Sequence, residues 1–133
     1  MALFDLFGKK PVLAQSNYSI DYSVHPLSLR PYKNDYLLLS VYLTNNSDQP
    51  MLTSLVAFTS KKLGFESNLL SNQKETRLGV LEPGEKRSIH LKVWSSPRTT
   101  PGGYPLFLTA VSHYRDYGHV LNESRKRLLI RVA

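Results

Sequence analysis

Apolar residues recur at every second position along most of this chain, and this spacing constrains the fold more than any other feature. Between residues 36 and 44, one parity is entirely apolar: Leu37, Leu39, Val41 and Leu43. Successive side chains of a β-strand point to opposite faces, so a period of two places one set against a core. The alternation returns as far as residue 132, and no helical period stands out after residue 10. We therefore expect an all-β chain.

Turn signals divide the alternating segments into about seven strands, a number typical of an immunoglobulin-like sandwich. In Glu82-Pro83-Gly84-Glu85, the proline and the glycine suit the two central positions of a type II turn. Residues 61–72 fit either a short edge strand or an irregular crossover. The sequence predicts an immunoglobulin-like β-sandwich over residues 17–133, with residues 1–16 as an appended segment. The expected antiparallel strands cover residues 20–24, 36–44, 52–60, 74–81, 86–95, 104–114 and 124–132.

The appended segment combines apolar and basic residues, and it has two interpretations. It could contact an anionic membrane surface, or its aromatic residues could pack against the core. Asp5 interrupts the apolar run and the lysines follow it, so we do not expect a secretory signal. A cytoplasmic location is expected, with peripheral attachment to a membrane as an alternative. The residues that would make the membrane contact are Leu3, Phe4, Leu6, Phe7, Lys9 and Lys10.

Composition argues against most enzyme classes. The chain has no cysteine, so disulfides, thiolate metal sites and a cysteine nucleophile are excluded. His113 and His119 lie near Asp116 and Glu123 but lack the spacing of metal ligands, and we interpret them as solvated loop histidines. Paired carboxylates, nucleophile motifs and phosphate-binding glycine motifs are not evident. We expect a non-enzymatic protein without a metal or a cofactor.

Three segments occur in the order found in a known group of modules. They are Leu39-Ser-Val-Tyr-Leu-Thr-Asn-Asn-Ser47, Leu81-Glu-Pro-Gly-Glu-Lys86 and Pro101-Gly-Gly-Tyr-Pro-Leu-Phe-Leu-Thr109. Over residues 17–132 the chain resembles the CARDB-like and NPCBM-associated immunoglobulin-like domains of archaeal and bacterial proteins. The resemblance implies a non-catalytic adhesive, spacer or binding role. It also implies that Tyr104 is a corner tyrosine, whose hydroxyl ties the preceding loop to the backbone.

The net charge of +7 comes from 17 lysine and arginine residues against 10 aspartate and glutamate residues. Most of the positive charge is scattered, but the last strand concentrates it on one parity, at a spacing of about 6.6–6.8 Å. This row could bind a polyanion such as a nucleic acid, or it could protect a sheet edge from aggregation. If the last strand pairs with the strand before it, Phe107, Thr109, Val111 and His113 lie beside the row. The candidate polyanion face consists of Arg125, Arg127, Arg131, Phe107 and His113.

The loop before the last strand has the composition of a recognition loop, with Tyr114, Arg115, Tyr117 and His119 as candidate partner-binding residues. Its tyrosines could equally cover the end of the core. A further aromatic set could face a sugar or a protein, although such a set more often marks a face covered by another strand, loop or subunit: Tyr36, Tyr42 and Trp94.

The expected function is therefore a non-enzymatic binding or protein-interaction module of unknown ligand. A nucleic-acid or other polyanion binder and a peripheral membrane adaptor are the alternatives, and self-association into a homo-oligomer stays open.

Overall fold

The computed structural model describes residues 17–133 and confirms an all-β, immunoglobulin-like sandwich. A three-stranded sheet has the order β1-β3-β6, and a five-stranded sheet has the order β2-β8-β7-β4-β5. All pairings are antiparallel except that of β2 with β8. No helix within residues 17–133 is long and apolar enough to cross a membrane. The strands are β1 (Tyr18–His25), β2 (Ser28–Leu29), β3 (Tyr36–Asn45), β4 (Met51–Thr59), β5 (Gln73–Leu81), β6 (Lys86–Trp94), β7 (Gly102–His113) and β8 (Val120–Val132).

The core lies between the two sheets and is built from one parity of each long strand. Burial of this alternate set is the main favourable contribution to folding, because apolar area leaves water while the polar set stays solvated. The predicted inward residues of β3 and β8 are all buried. The contributors from the central strands are Leu37, Leu39, Val41, Leu43, Leu55, Ala57, Leu106, Leu108 and Ala110, joined by Leu128, Ile130 and Val132 from β8.

Two local features differ from, or go beyond, the sequence prediction. β2 is a two-residue strand that pairs in parallel with Arg131 and Val132, and it is too short to produce a periodic signal. Residues 61–72 form an irregular crossover, attached to the end of β6 by an isolated bridge between Gly64 and Trp94. Of the two alternatives for this segment, the crossover is therefore the one observed.

Two expected loop features are both present: the turn at Pro83-Gly84 and the tyrosine corner at Tyr104. Gly84 adopts φ 79°, and the Glu85 N–H donates to the Glu82 carbonyl at 2.9 Å, which closes the Pro-Gly turn. The Tyr104 hydroxyl donates to the Thr100 carbonyl at 2.7 Å. The resemblance to immunoglobulin-like modules had implied this bond, and it fixes the loop that leads into β7.

Asp35 anchors the segment between β2 and β3. Its Oδ2 accepts hydrogen bonds from the Arg30 backbone N–H at 3.2 Å and from Arg30 Nε at 3.3 Å. Burial acts to raise the pKa of the Asp35 carboxyl, but the hydrogen bonds from Arg30 and Tyr36 lower it more, so the pKa lies below its ordinary value. A carboxyl whose pKa is lowered by folding stabilises the folded state at pH values above the pKa that the same aspartate has in the unfolded chain, about 3.9.

The Asp35→Asn substitution should therefore lower stability at neutral pH and reduce the loss of stability in acid. The contribution of Asp35 is lost as pH falls from about 5 through its lowered pKa, because protonation removes the charge that Arg30 binds. Urea unfolding of both proteins between pH 7 and pH 2 measures the difference, which should shrink towards acid pH. Asp48→Asn, in an exposed loop, is the control for the loss of one carboxylate. A difference that stays constant over this range would contradict the assignment.

Candidate binding surface

The outward side of the five-stranded sheet brings aromatic and arginine side chains together. Residues paired directly across antiparallel strands point to the same face. Phe58 of β4 pairs with Phe107 of β7, and Phe107 pairs with Arg127 of β8. The next pair on the same face, two residues further along β7, is Thr109 with Arg125. We call this surface the arginine–aromatic face: Val56, Phe58, Phe107, Thr109, Arg125, Arg127, Leu129 and Arg131.

The centre of this face is apolar and open to solvent. Phe58 is 50% exposed and Leu129 is 56% exposed, although both lie within strands of the sheet. A shallow groove of about 350 Å³ runs between Phe58, Phe107 and Arg125. The Arg125 guanidinium carbon lies 5.9 Å from the centroid of the Phe107 ring, close enough for a cation–π contact. The groove therefore offers an apolar floor with a cation at its rim.

Within residues 17–133, the three arginines of this face have no carboxylate partner. The ion pairs found between described residues involve Arg30, Arg77, Arg87 and His119, and none includes Arg125, Arg127 or Arg131. Each charge is thus available to an external anion.

His113 does not line this face, contrary to the sequence prediction. It is only 7% exposed, its Nε2 lies 2.8 Å from Ser54 Oγ, and its ring contacts the edge of Tyr117 at 5.0 Å between centroids. A register shift between Ser112 and His113 occurs where Tyr117 folds back over the strand end. The interpretation of His113 as a solvated loop residue is wrong for the same reason.

The loop between β7 and β8 divides into a structural part and a solvent-facing part. The Tyr117 hydroxyl accepts a hydrogen bond from the Gly79 N–H at 2.9 Å, and the Arg77 guanidinium carbon lies 4.7 Å from the centroid of the Tyr117 ring. Through these two contacts, Tyr117 covers the end of the sheet. Tyr114 and Arg115, in contrast, are exposed and contact each other, with 5.1 Å between the guanidinium carbon and the ring centroid.

His119, also exposed, pairs with Asp116 across the tip of this loop. Its Nδ1 lies 2.8 Å from Asp116 Oδ1. The hydrogen bond from His119, together with that from the Gly118 N–H, lowers the pKa of the Asp116 carboxyl. The pair thus closes the tip of the loop. No group of three or more potential metal ligands is found among the described residues.

The opposite side of the sandwich carries the second aromatic set. Tyr36 and Trp94 are cross-strand neighbours with ring centroids 4.7 Å apart, and Lys92 Nζ lies 4.9 Å from the Tyr36 ring. Tyr42 lies further along β3, and Lys86 Nζ is 5.9 Å from the centroid of its ring. The structure thus joins Tyr36 to Trp94, whereas Tyr42 has a separate lysine neighbour. The candidate membrane-contact residues lie outside the described part of the chain: Leu3, Phe4, Leu6, Phe7, Lys9 and Lys10.

Comparison with known proteins supports the fold. No protein-family model matches the sequence, and no curated protein matches it. A domain of a Salmonella alpha-2-macroglobulin mutant is similar, with TM-score 0.59 and 21% identity over 91% of this chain, although the match spans only 7% of that much longer chain.

Two shorter proteins match over most of their own length. One chain of the complex between Zinc 2-glycoprotein and Prolactin inducible protein from human seminal plasma has TM-score 0.57 and 13% identity, covering 86% of this chain and 93% of that one. BslA, a bacterial hydrophobin, has TM-score 0.52 and 12% identity, covering 89% and 95%. These similarities define an immunoglobulin-like β-sandwich.

Proposed function

We propose that this chain is a non-enzymatic binding module whose arginine–aromatic face recognises an acidic segment of a partner protein. The observation that carries the proposal is the row of Arg125, Arg127 and Arg131, which pair with no carboxylate of the described residues and lie beside an exposed apolar groove. Carboxylates of the partner would pair with the arginines, and an apolar side chain would enter the groove between Phe58 and Phe107. The expected cytoplasmic location and the role implied by CARDB-like modules are consistent with this proposal.

Single-stranded nucleic acid is the second candidate ligand. The neighbouring rings of Phe58 and Phe107, with arginines alongside, are the elements of a base-stacking platform. One feature favours protein. Leu129 separates Arg127 from Arg131 with an exposed aliphatic side chain, which suits a protein partner better than a chain of phosphates.

Titration with two fluorescent probes tests this proposal: a peptide that alternates glutamate with leucine, and a twelve-residue oligothymidine. We expect saturable binding of the peptide, weakened at least tenfold in the Arg125→Gln/Arg127→Gln double variant, because about 1.4 kcal/mol of lost pairing is a tenfold change. Binding should also weaken steeply as salt is added. The Lys33→Gln/Lys92→Gln variant removes the same charge from exposed residues elsewhere and should bind as the unmodified chain does.

The same titrations separate the two ligands. Tighter binding of the oligothymidine than of the peptide, reduced by Phe58→Ala, would assign the face to nucleic acid in place of protein. Equal weakening by both double variants, or no binding of either probe at low salt, would overturn the use of this face. Circular dichroism of each variant establishes that the fold is retained.

A further inference from the structure

A second site lies at one end of the sandwich, where two loops meet. The 61–72 crossover and the loop after β6 enclose an open pocket of about 600 Å³. This volume is within the range of pockets that hold small molecules, about 300–1,000 Å³. We call it the basic pocket, and its lining residues are Lys61, Lys62, Ser67, Asn68, Leu69, Ser96, Pro97 and Arg98.

Among the residues that the structure describes, no carboxylate compensates the positive charge of the pocket lining. Its charged residues there are Lys61, Lys62 and Arg98, and none of the three takes part in an ion pair. Glu66 belongs to the same crossover but does not line the pocket. Three like charges around one concave surface repel one another and raise the local concentration of anions. An anion in the pocket would relieve this repulsion.

The two loops are held in place by hydrogen bonds that do not involve the charged groups. The buried Thr99 hydroxyl donates to the Lys62 carbonyl at 2.9 Å, and the Gly64 and Trp94 backbones exchange hydrogen bonds of 3.1 and 2.7 Å. Asn72 Nδ2 donates to the carbonyls of Ser60 and Leu63. The pocket is therefore a preformed feature between tethered loops, and this lowers the entropy cost of binding.

Close packing also fixes the shape of the crossover. A Cβ at Gly64 would lie 2.8 Å from Leu69 Cα, and Leu69 itself adopts φ 58°, a conformation costly for a residue with a Cβ. The crossover thus holds Leu69 in a strained position at the pocket wall. Strain of this kind is concentrated at functional sites, and here it presents an apolar side chain beside three cations.

Asn68 is the polar lining residue suited to donate a hydrogen bond. Its Oδ1 already accepts from the Leu70 N–H at 3.0 Å, which leaves the amide nitrogen to donate to a ligand. The Ser96 hydroxyl is engaged within its own loop, because it accepts from the Arg98 N–H at 3.1 Å and lies 3.5 Å from Thr99 Oγ1. From these observations we propose that the basic pocket binds a small organic phosphate. Lys61, Lys62 and Arg98 pair with the phosphate, and its organic part packs against Leu69 and Pro97.

An NMR titration of the full chain with phenyl phosphate, inorganic phosphate and benzyl alcohol tests the proposal. Phenyl phosphate should produce saturable shifts confined to residues 61–69 and 96–98, and inorganic phosphate should produce the same pattern at higher concentration. Benzyl alcohol lacks the charge and should shift nothing at comparable concentrations. The Arg98→Gln variant should weaken phenyl phosphate binding at least tenfold, since a charge-assisted hydrogen bond is lost.

The matched control is Lys92→Gln, which removes one positive charge from the outward side of the three-stranded sheet. Its affinity for phenyl phosphate should equal that of the unmodified chain. The Arg125→Gln/Arg127→Gln variant should also retain the affinity, because the pocket and the arginine–aromatic face share no residue. Shifts that spread over all basic residues without saturating, or equal effects of Arg98→Gln and Lys92→Gln, would overturn the proposal.

Discussion

The Asn45→Ala substitution should lower the free energy of unfolding by about 2–4 kcal/mol, because several buried polar groups would lose their partners. Asn45 ends β3 with an exposed fraction of 0%. Its Nδ2 donates to the carbonyls of Gln49 and Leu81 at 2.9 and 2.8 Å, and its Oδ1 accepts from the Ser47 N–H and hydroxyl at 2.9 and 2.7 Å. One side chain thus joins the β3–β4 loop to the end of β5.

Urea unfolding followed by circular dichroism measures this loss. Asn122→Ala is the matched control: Asn122, near the start of β8, is exposed, and its truncation should change stability by no more than about 0.5 kcal/mol. Asn45→Asp should also destabilise the fold, since it replaces two amide donors by a buried charge. Equal stabilities of the Asn45→Ala and Asn122→Ala variants would show that the hydrogen bonds of Asn45 carry no net stabilisation.

Asn45 also shows where sequence reasoning stops. The Asn45-Asn46-Ser47 run marks a loop, and the loop is found there, because asparagine and serine side chains bond to nearby backbone. The bond to Leu81 joins residues 36 apart in sequence. No local pattern reports such a contact. The importance of Asn45 is therefore visible only once β4 and β5 lie beside each other.

The strands themselves could be predicted because one face of each is buried and the period is strict. The arginine row of β8 follows from the same parity, and so does its neighbour Phe107. Phe58 was missed because β4 carries apolar residues on both parities, which leaves its outward side undefined in the sequence. His113 has the same alternation along β7 as Phe107, which predicts an outward side chain. The register shift and the Tyr117 ring bury it instead.

The basic pocket could not be predicted at all. Its lysines and Arg98 lie more than thirty positions apart in sequence, and both segments lack a periodic pattern. The two loops meet because β6 ends beside the crossover, where Gly64 pairs with Trp94. Sites made from irregular loops depend on such tertiary pairing, whereas a row along one strand depends only on a period of two.

The largest loss of stability is expected for Leu108→Ala, at about 3–5 kcal/mol. Leu108 lies on β7, the central strand of the five-stranded sheet, with an exposed fraction of 0%. Its truncation removes buried methyl groups and leaves a cavity that two hydrogen-bonded sheets cannot close. Thermal unfolding measures the loss, which corresponds to a fall in Tm of more than roughly 10 °C for a domain of this size.

Leu129→Ala makes the same chemical change on the outward side of the neighbouring strand β8, where the side chain is 56% exposed. It should cost less than about 0.5–1 kcal/mol of stability, because little apolar area returns to water. It should nevertheless weaken binding of the acidic peptide several-fold, since Leu129 contributes to the arginine–aromatic face. Leu108→Ala, measured well below its Tm, should bind the peptide with unchanged affinity. Opposite effects on stability and binding would separate the two sides of one sheet. Similar losses of stability in both variants would mean that the outward side is covered in the folded chain, and the arginine–aromatic face would then not be free to bind a partner.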